Sequence, residues 1–228
     1  MDLRTLVSDP EAFFTVRQEG TSLVGPTAVV AGHALLALAV TAVVLQAVGD
    51  VVTPADAGAI VYASGERRIS APRQVVLSLW ATGALYFVGW IAVAVVAYLV
   101  SLYFDGNGSF RRLLAFVGWA FVPTLVPTAV RTFAVAAMFL DAPEFATEAA
   151  LQEWARSELA DHPARLAAIA VRPLFTLWTV SLWVLAAEYA RELTRRQALA
   201  AVALPAALAT LNAVGTLATA AGRVLGLL

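Results

Sequence analysis

The fold of this chain is decided by DGNGSFRRLLAFVGWAFVPTLVPTAVR, residues 105–131. The stretch opens as a turn with two glycines, passes a pair of arginines and continues as an apolar helix that carries Pro123 and Pro127. Interior proline removes a backbone donor and clashes with the preceding helical turn, so helices of soluble proteins avoid it. Membrane helices tolerate it because neighbouring helices and Ser or Thr side chains satisfy the freed carbonyls. The stretch therefore predicts a transmembrane helix that is interrupted by proline.

The composition indicates a membrane protein. Hydrophobic residues make up 61% of the 228 positions and charged residues 14%, whereas soluble domains have about 45–50% apolar and about 25% charged residues. The excess falls in blocks longer than the ~18 residues needed to cross hydrocarbon. We therefore predict an all-α fold, a polytopic integral membrane bundle of five transmembrane helices. The predicted spans are residues 26–48, 75–103, 110–140, 166–187 and 198–219, with 1–24 as an N-terminal interfacial segment and 25–228 as the membrane domain.

The residue counts exclude or disfavour several kinds of chemistry. No cysteine is present, which excludes disulfides, thiolate metal sites and a cysteine nucleophile. Only two histidines, His33 and His162, are available for a metal or catalytic centre. Glycine-rich phosphate loops and nucleophile-elbow motifs are absent from the sequence, and a net charge of −1 does not indicate nucleic-acid binding. We expect no enzymatic activity, no cofactor and no metal.

Three polar residues are candidates for an intramembrane role: His33, Arg131 and Asn212. His33 is interpreted either as a ligand or proton-relay residue or as a neutral imidazole that bonds to a neighbouring helix. Arg131 follows Pro123 and Pro127 at intervals of four, so the three share one helical face. Arg131 either reaches the opposite interface, about 28 Å from the arginine pair at 1.5 Å per residue, or lies inside the bundle against carbonyls that the prolines free.

The N-terminal segment carries the signals of a short surface helix. Ser8 and Glu11 stand at capping-box spacing. Phe13 and Phe14 follow on the apolar side of that helix. We expect these rings either to enter the lipid headgroup region or to pack against the end of the bundle.

Two longer connections separate the spans. Residues 50–74 predict a short helix between Thr53 and Gly65, with a strand at residues 60–62 as the alternative. Residues 141–165 predict a carboxylate-rich helix at 147–159, which we interpret as a solvated face or as a surface for cations or a basic partner. A metal-dependent enzyme remains an alternative if the carboxylates that this connection contributes converge. Those carboxylates are Glu144, Glu148 and Asp161.

The last two spans have their own boundary signals. Pro173 follows Arg172 near the entry of the fourth span and predicts a kink or a new helix start there. Thr194 and Gln197 stand at capping spacing before the fifth span. Arginines are divided almost equally between the two sides, but the two tight turns are both flanked by arginine, which favours a cytoplasmic N-terminus in the cell membrane.

Two short motifs resemble the signatures of the Yip (Ypt/Rab-interacting) membrane domain family. LVGP precedes the first span and GWAFVP lies inside the third, whereas the family carries Asp-Leu-aromatic-Gly-Pro and Gly-Tyr-x-x-x-Pro. The matching positions are Leu23, Gly25, Pro26, Gly118 and Pro123, with Trp119 in place of the tyrosine. All 15 basic residues are arginine, which we interpret as a trait of a GC-rich prokaryotic genome, and the chain resembles the prokaryotic and archaeal members.

The resemblance implies a five-span integral membrane domain that is not an enzyme. Eukaryotic relatives are linked to Rab-type GTPases, membrane trafficking and membrane shaping. Ser22 and Val24 stand where the family has aspartate and an aromatic residue, and these departures weigh against GTPase binding by this chain.

We therefore expect a non-enzymatic membrane protein that acts through helix contacts, lipid interaction or partner recruitment, including self-association. The alternative is a small transporter or channel component that uses the proline-broken third span, with Arg131 attracting anions. Spans without acidic residues argue against a proton-driven carrier.

Overall fold

The computed structural model of the chain describes residues 3–18, 20–52, 59–64, 67–140, 142–143 and 148–225. Two antiparallel strands accompany the helices in this part of the chain. In chain order the elements are α1 (Leu3–Ser8), α2 (Pro10–Val16), α3 (Val24–Val52), β1 (Ala59–Ser64), β2 (Arg67–Pro72), α4 (Arg73–Tyr103), α5 (Phe110–Trp119), α6 (Leu125–Leu140), α7 (Glu148–Asp161), α8 (Pro163–Arg191) and α9 (Arg195–Val224).

Four long helices and the shorter α6 form a closed ring around the central helix in the described part of the chain. Around the ring, α3 contacts α4, α4 contacts α9, α9 contacts α8, α8 contacts α6, and α6 contacts α3 again. The central helix is α5, which touches α3, α4 and α8 and is buried at Leu113 and from Ala115 to Trp119. At 1.5 Å per residue α5 is only about 15 Å long. We call the part of the ring around α5 the filled half and the part beyond Ala120 the open half.

The predicted third span is two helices, α5 and α6, joined by a turn. Between Ala120 and Thr124 the backbone bonds tighten to a spacing of three, with Val122 N–H donating to the Trp119 carbonyl and Leu125 N–H donating to the Val122 carbonyl. Pro127 is the third residue of α6, where a missing N–H has no consequence because the first turn lacks intrahelical acceptors. The break therefore lies at Pro123.

The outer surface of the ring is apolar. Among the described residues, four helices are long and apolar enough to cross a membrane, at Val24–Val44, Trp80–Tyr103, Arg165–Arg191 and Arg195–Arg223. Large apolar side chains point outward from two of them, at Leu85, Val88, Leu99, Leu204, Leu208 and Leu211. The prediction of an all-α integral membrane bundle is confirmed. A fifth crossing would consist of α5 followed by α6, and the count of five stays a prediction.

The connection before α4 differs from its first prediction. Ala59–Ser64 pairs with Arg67–Pro72 as an antiparallel hairpin, so the predicted helix is wrong over these residues and the strand alternative is confirmed. The sequence AIVYAS is rich in β-branched and aromatic residues, which fit a strand better than a helix. Thr53 and Gly65 lie outside the described residues. The helix predicted at 147–159 is found at Glu148–Asp161.

The N-terminal segment is two short helices. The capping-box prediction is wrong, because Ser8 is the last residue of α1 and donates to the Arg4 carbonyl. The carboxylate of Asp9 caps α2 instead, accepting from Ala12 N–H at 3.0 Å. Phe13 and Phe14 are 1% and 0% exposed and belong to the main core, so these rings pack against the bundle. The boundary at residue 24 stays a prediction.

Helices α8 and α9 form an antiparallel pair joined by a tight turn. Pro173 lies inside α8, which runs without a new start from Pro163 to Arg191. The capping prediction for α9 is confirmed: Gln197 N–H donates to the Thr194 hydroxyl, and the Gln197 side chain accepts from Thr194 N–H.

Candidate functional site

A cavity of about 460 Å³, whose largely apolar wall carries several polar side chains, lies in the open half of the ring. It is enclosed by α3, α4, α6, α8 and α9, beyond the point where α5 ends. The main polar groups from the separate helices are His33 from α3, Arg131 from α6, Arg172 from α8 and Asn212 from α9. The three polar residues selected from the sequence therefore line one cavity, although they are far apart in the chain.

His33 ties the helix break to the ring. Its side chain is 3% exposed, and Nε2 is 3.1 Å from the Phe121 carbonyl oxygen. The break frees this carbonyl, because Leu125 N–H donates to Val122 and not to Phe121. The ring also stacks on Tyr86 of α4, with centroids 5.5 Å apart. His33 thus makes the helix contacts of its second interpretation, and its role stays a prediction.

The hydrogen bonds around His33 constrain its protons. A carbonyl oxygen only accepts, so Nε2 carries a proton that it donates to Phe121. Nδ1 is 3.2 Å from the Thr128 hydroxyl, which is also 2.8 Å from the Thr124 carbonyl. When the ring is neutral, the Thr128 hydroxyl donates its proton to Nδ1. When the ring is doubly protonated, Nδ1 donates to the Thr128 oxygen and the hydroxyl donates to the Thr124 carbonyl. The same hydrogen-bonding atoms therefore fit the neutral and the protonated imidazole.

Three arginines line the cavity: Arg131, Arg165 and Arg172. Arg172 is held by two neutral groups of α9, with Nη2 donating to Asn212 Oδ1 at 2.6 Å and Nη1 donating to Thr216 Oγ1 at 3.5 Å. Arg131 lines the same cavity from α6 and carries the same charge. No aspartate or glutamate is among the described residues that line this cavity.

A second cavity of about 380 Å³ adjoins the first between α8 and α9. The two share Arg165, Ile169, Asn212 and Thr216. The second extends along α9 to Arg223, near the end of that helix. Together the cavities form a continuous basic path from the middle of the bundle toward the end of the α8–α9 pair.

The two family-like motifs meet in the filled half. A Cβ at Gly118 would lie 2.6 Å from Pro26 Cβ and 3.0 Å from Trp90 Nε1, so only glycine fits at this position. Trp90 Nε1 in turn donates to the Leu114 carbonyl at 2.7 Å. Leu23 packs against the same core. The motif around Pro26 and the motif around Gly118 are therefore two sides of one helix contact.

Sequence reasoning did not find several of these residues. Arg165 and Arg172 are seven apart on α8, and Asn212 and Thr216 are four apart on α9, so each pair shares a helical face. From the sequence alone, those spacings could have predicted one polar face on α8 and one on α9. Arg191 is also new: it is 2% exposed and bonds to Ser101 at 2.8 Å and to the Gly106 carbonyl.

The metal-dependent alternative receives no support from the described residues, which contain no group of His, Asp or Glu that could hold a metal. Glu144 and the side chains of Glu148 and Asp161, on which that alternative depends, lie outside the described part of the structure.

Fold and site define an integral membrane helical bundle with a proline-broken central span and an arginine-lined cavity. The family model described as the Yip1 domain matches residues 4–216, and this chain belongs to the Yip1 domain family. A 39-residue segment is 41% identical to an uncharacterized protein of the archaeon Methanocaldococcus jannaschii, covering 17% of this chain and 28% of that protein. No solved structure matches the chain.

Proposed function

We propose that this Yip1-family membrane protein is not an enzyme and acts as a membrane-organising scaffold through helix contacts, lipid interaction or partner recruitment. The observation that carries the proposal is the way the broken central span is fixed. Pro26 and Trp90 pack around Gly118, and His33 holds the carbonyl freed at the break. Such a core supports a fixed ring of helices whose outer faces are apolar.

Association in native membranes tests this proposal. The protein is extracted into nanodiscs together with its surrounding lipid, and co-extracted proteins and lipids are identified by mass spectrometry. We expect a reproducible lipid or protein partner, or a self-associated form, that is enriched over an unrelated multi-pass protein. Gly118→Ala, which disturbs the core contact, should reduce that enrichment, whereas Gly89→Ala should not because a Cβ there meets nothing within 4 Å. Substrate turnover without any enriched partner would contradict the proposal.

A channel or transporter component is the second candidate, and the arginine-lined cavity favours it. Anion flux into liposomes that contain the purified protein separates the two. The scaffold proposal predicts flux no greater than in protein-free liposomes. Robust flux that is lost in Arg131→Gln would overturn the scaffold proposal in favour of a conducting one.

We further propose that the protein is in the cell membrane with a cytoplasmic N-terminus. The arginines that flank the tight turns before α5 and α9 support this orientation. Protease protection of a tag added at the N-terminus, measured in inside-out and right-side-out vesicles, tests it. Cleavage in right-side-out vesicles alone would contradict it.

A further inference from the structure

We propose that the arginine-lined cavity is a binding site for a phosphate-bearing anion, supplied either as a lipid headgroup or as a free phosphate compound. The proposal deepens the lipid-interaction arm of the proposed function and rests on it only for the choice of a lipid source. The charge of the lining favours an anion. Arg131 and Arg172 carry like charges on the wall of one cavity, and the described lining contains no carboxylate. Charges within the membrane normally pair with an opposite charge or with backbone carbonyls.

The arginines also lie some distance from the helix ends, at a depth where an uncompensated charge is unfavourable. Arg172 is seven residues beyond Arg165 on α8, about 10 Å at 1.5 Å per residue. Arg131 is nine residues before Leu140, the last residue of α6, and Arg172 is nine residues after Pro163, the first residue of α8. Each distance is about 14 Å at 1.5 Å per residue. The two guanidinium groups therefore lie at a similar depth, below the end of the bundle, where a bound anion would neutralise both.

The cavity wall also carries hydrogen-bonding groups that no described residue uses. Thr179 Oγ1 and Trp183 Nε1 are buried, line the cavity and have no hydrogen-bond partner among the described residues. Their side chains are only 3% and 4% exposed. An indole N–H is a donor only, so it needs an acceptor. Thr179 and Trp183 are four apart on α8, which puts both groups on one helical face.

The guanidinium of Arg172 is already oriented, because Asn212 and Thr216 of α9 accept hydrogen bonds from it. Guanidinium forks reach the cavity from α6 at Arg131 and from α8 at Arg172. Thr179 and Trp183 lie seven and eleven residues beyond Arg172, about 10 and 16 Å along α8, so they face a deeper part of the same cavity. A tetrahedral phosphate presents acceptor oxygens in several directions, which suits two guanidinium forks that come from different helices.

The size and lining of the space indicate an amphiphilic ligand. A cavity of about 460 Å³ is larger than a phosphate group requires. Ala168, Ile169 and Ala209 contribute apolar surface beside the arginines, and the adjoining cavity continues past Leu211 toward the end of α9. This arrangement accommodates a phosphate at the arginines with a glycerol or acyl portion along the α8–α9 groove.

Titrations with defined probes test the proposal. Purified protein in neutral detergent is titrated with a short-chain phosphatidic acid, with diacylglycerol of the same chain length and with inorganic phosphate, and binding is followed by native mass spectrometry and by tryptophan fluorescence. We expect phosphatidic acid to bind and diacylglycerol to bind at least tenfold more weakly. Arg131→Gln and Arg172→Gln should each weaken binding about tenfold or more. The matched control is Arg196→Gln, which changes an exposed arginine at the start of α9 and should leave binding unchanged.

Comparing phosphatidic acid with inorganic phosphate distinguishes the two sources of the anion. Binding of phosphatidic acid without inorganic phosphate supports a lipid headgroup, and binding of inorganic phosphate with similar affinity supports a free anion. Wild-type-like binding in both arginine variants, or no binding of either probe, would overturn the proposal. Thermal unfolding without ligand shows whether the variants are folded. We expect Arg131→Gln to melt at or above the wild-type temperature, because it removes a positive charge from a cavity whose described lining contains no carboxylate. We expect Arg172→Gln to melt somewhat lower, because it loses the hydrogen bonds to Asn212 and Thr216. If the probes fail to bind while partners still co-extract, the inference fails and the scaffold proposal stands.

Discussion

The arginines in the two halves of the bundle have different surroundings. In the filled half Arg191 donates to the Ser101 hydroxyl at 2.8 Å and to the Gly106 carbonyl, and its guanidinium lies 4.5 Å from the centre of the Tyr98 ring. In the open half Arg131 and Arg172 face a cavity whose described lining contains no carboxylate. An arginine surrounded by acceptors and an aromatic face stabilises the fold. Arginines that face a cavity are available to a ligand.

The largest effect is expected in the filled half, at Gly118. Gly118→Ala adds a Cβ that would lie 2.6 Å from Pro26 Cβ, so the helices must separate. Overpacking of this kind costs about 1–3 kcal/mol and occasionally more. We expect a marked fall in the melting temperature in detergent. Gly215→Ala is the control, since a Cβ there meets nothing within 4 Å, and equal stability of the two variants would contradict the packing described here.

Arg191 provides the next test of the difference between the halves. Arg191→Gln replaces the charged donor to Ser101 and Gly106 by a neutral amide that can still donate. We therefore expect a loss below the ~1.5–3 kcal/mol that a hydrogen bond to a charged group contributes. Arg131→Gln in the open half should not destabilise the protein in the absence of ligand, because Arg131 lines the cavity without a hydrogen bond to the described residues. Thermal unfolding of the two variants side by side measures the contrast. A larger loss of stability in Arg131→Gln would reverse the assignment of the two arginines.

A smaller loss is expected at the junction between the halves. His33→Ala leaves the Phe121 carbonyl without its imidazole donor, and an unsatisfied buried group costs about 1–3 kcal/mol. The Thr124 hydroxyl, 2.8 Å from the same carbonyl, retains part of that bonding. Thr41→Val is a suitable control, because Thr41 donates only within its own helix to Ala37. A melting temperature unchanged from wild type would show that the break does not depend on His33.

The smallest effect is expected at the N-terminal cap. Asp9→Ala removes the side chain that accepts from Ala12 N–H, and loss of a cap typically costs about 1 kcal/mol. Ser8→Ala should change stability by only a few tenths of that amount, since Ser8 bonds to the preceding turn. Chemical unfolding in mild detergent measures the two variants. Greater sensitivity at Ser8 than at Asp9 would restore the capping box predicted from the sequence.

Local signals predicted much of the fold. Apolar blocks gave the membrane helices because hydrocarbon demands length and apolarity, and the Thr194 cap was predicted because it depends on residues three apart. The strand at Ala59–Ser64 was predicted only as an alternative to a helix, because the local helix signals competed with it. The cap at Asp9 was missed because Ser8, next to it, offered a competing capping pattern. The sequence left open whether Phe13 faces lipid or the core. The structure places its ring against Trp119, a contact that the local sequence could not indicate because the two residues are far apart in the chain.

The site was harder to predict than the fold. His33, Arg131 and Asn212 stood out as polar residues in apolar spans, but nothing local indicated that they share a cavity. That cavity exists because α5 ends after about 15 Å and leaves part of the ring without a central helix. Thr179 and Trp183 are ordinary helix residues in the sequence, and their unused hydrogen-bonding groups became evident only in three dimensions.

Cysteine labelling tests the contrast between the halves most directly, because the chain contains no cysteine of its own. Thr176→Cys puts a thiol on the cavity wall, and Ala115→Cys puts one in the filled half at a position that is 1% exposed. In nanodiscs, we expect a small anionic methanethiosulfonate reagent to label Thr176→Cys severalfold faster than its cationic counterpart and to leave Ala115→Cys unlabelled. Equal labelling of the two positions, or faster reaction of the cationic reagent at Thr176→Cys, would contradict an open basic cavity beside a filled core.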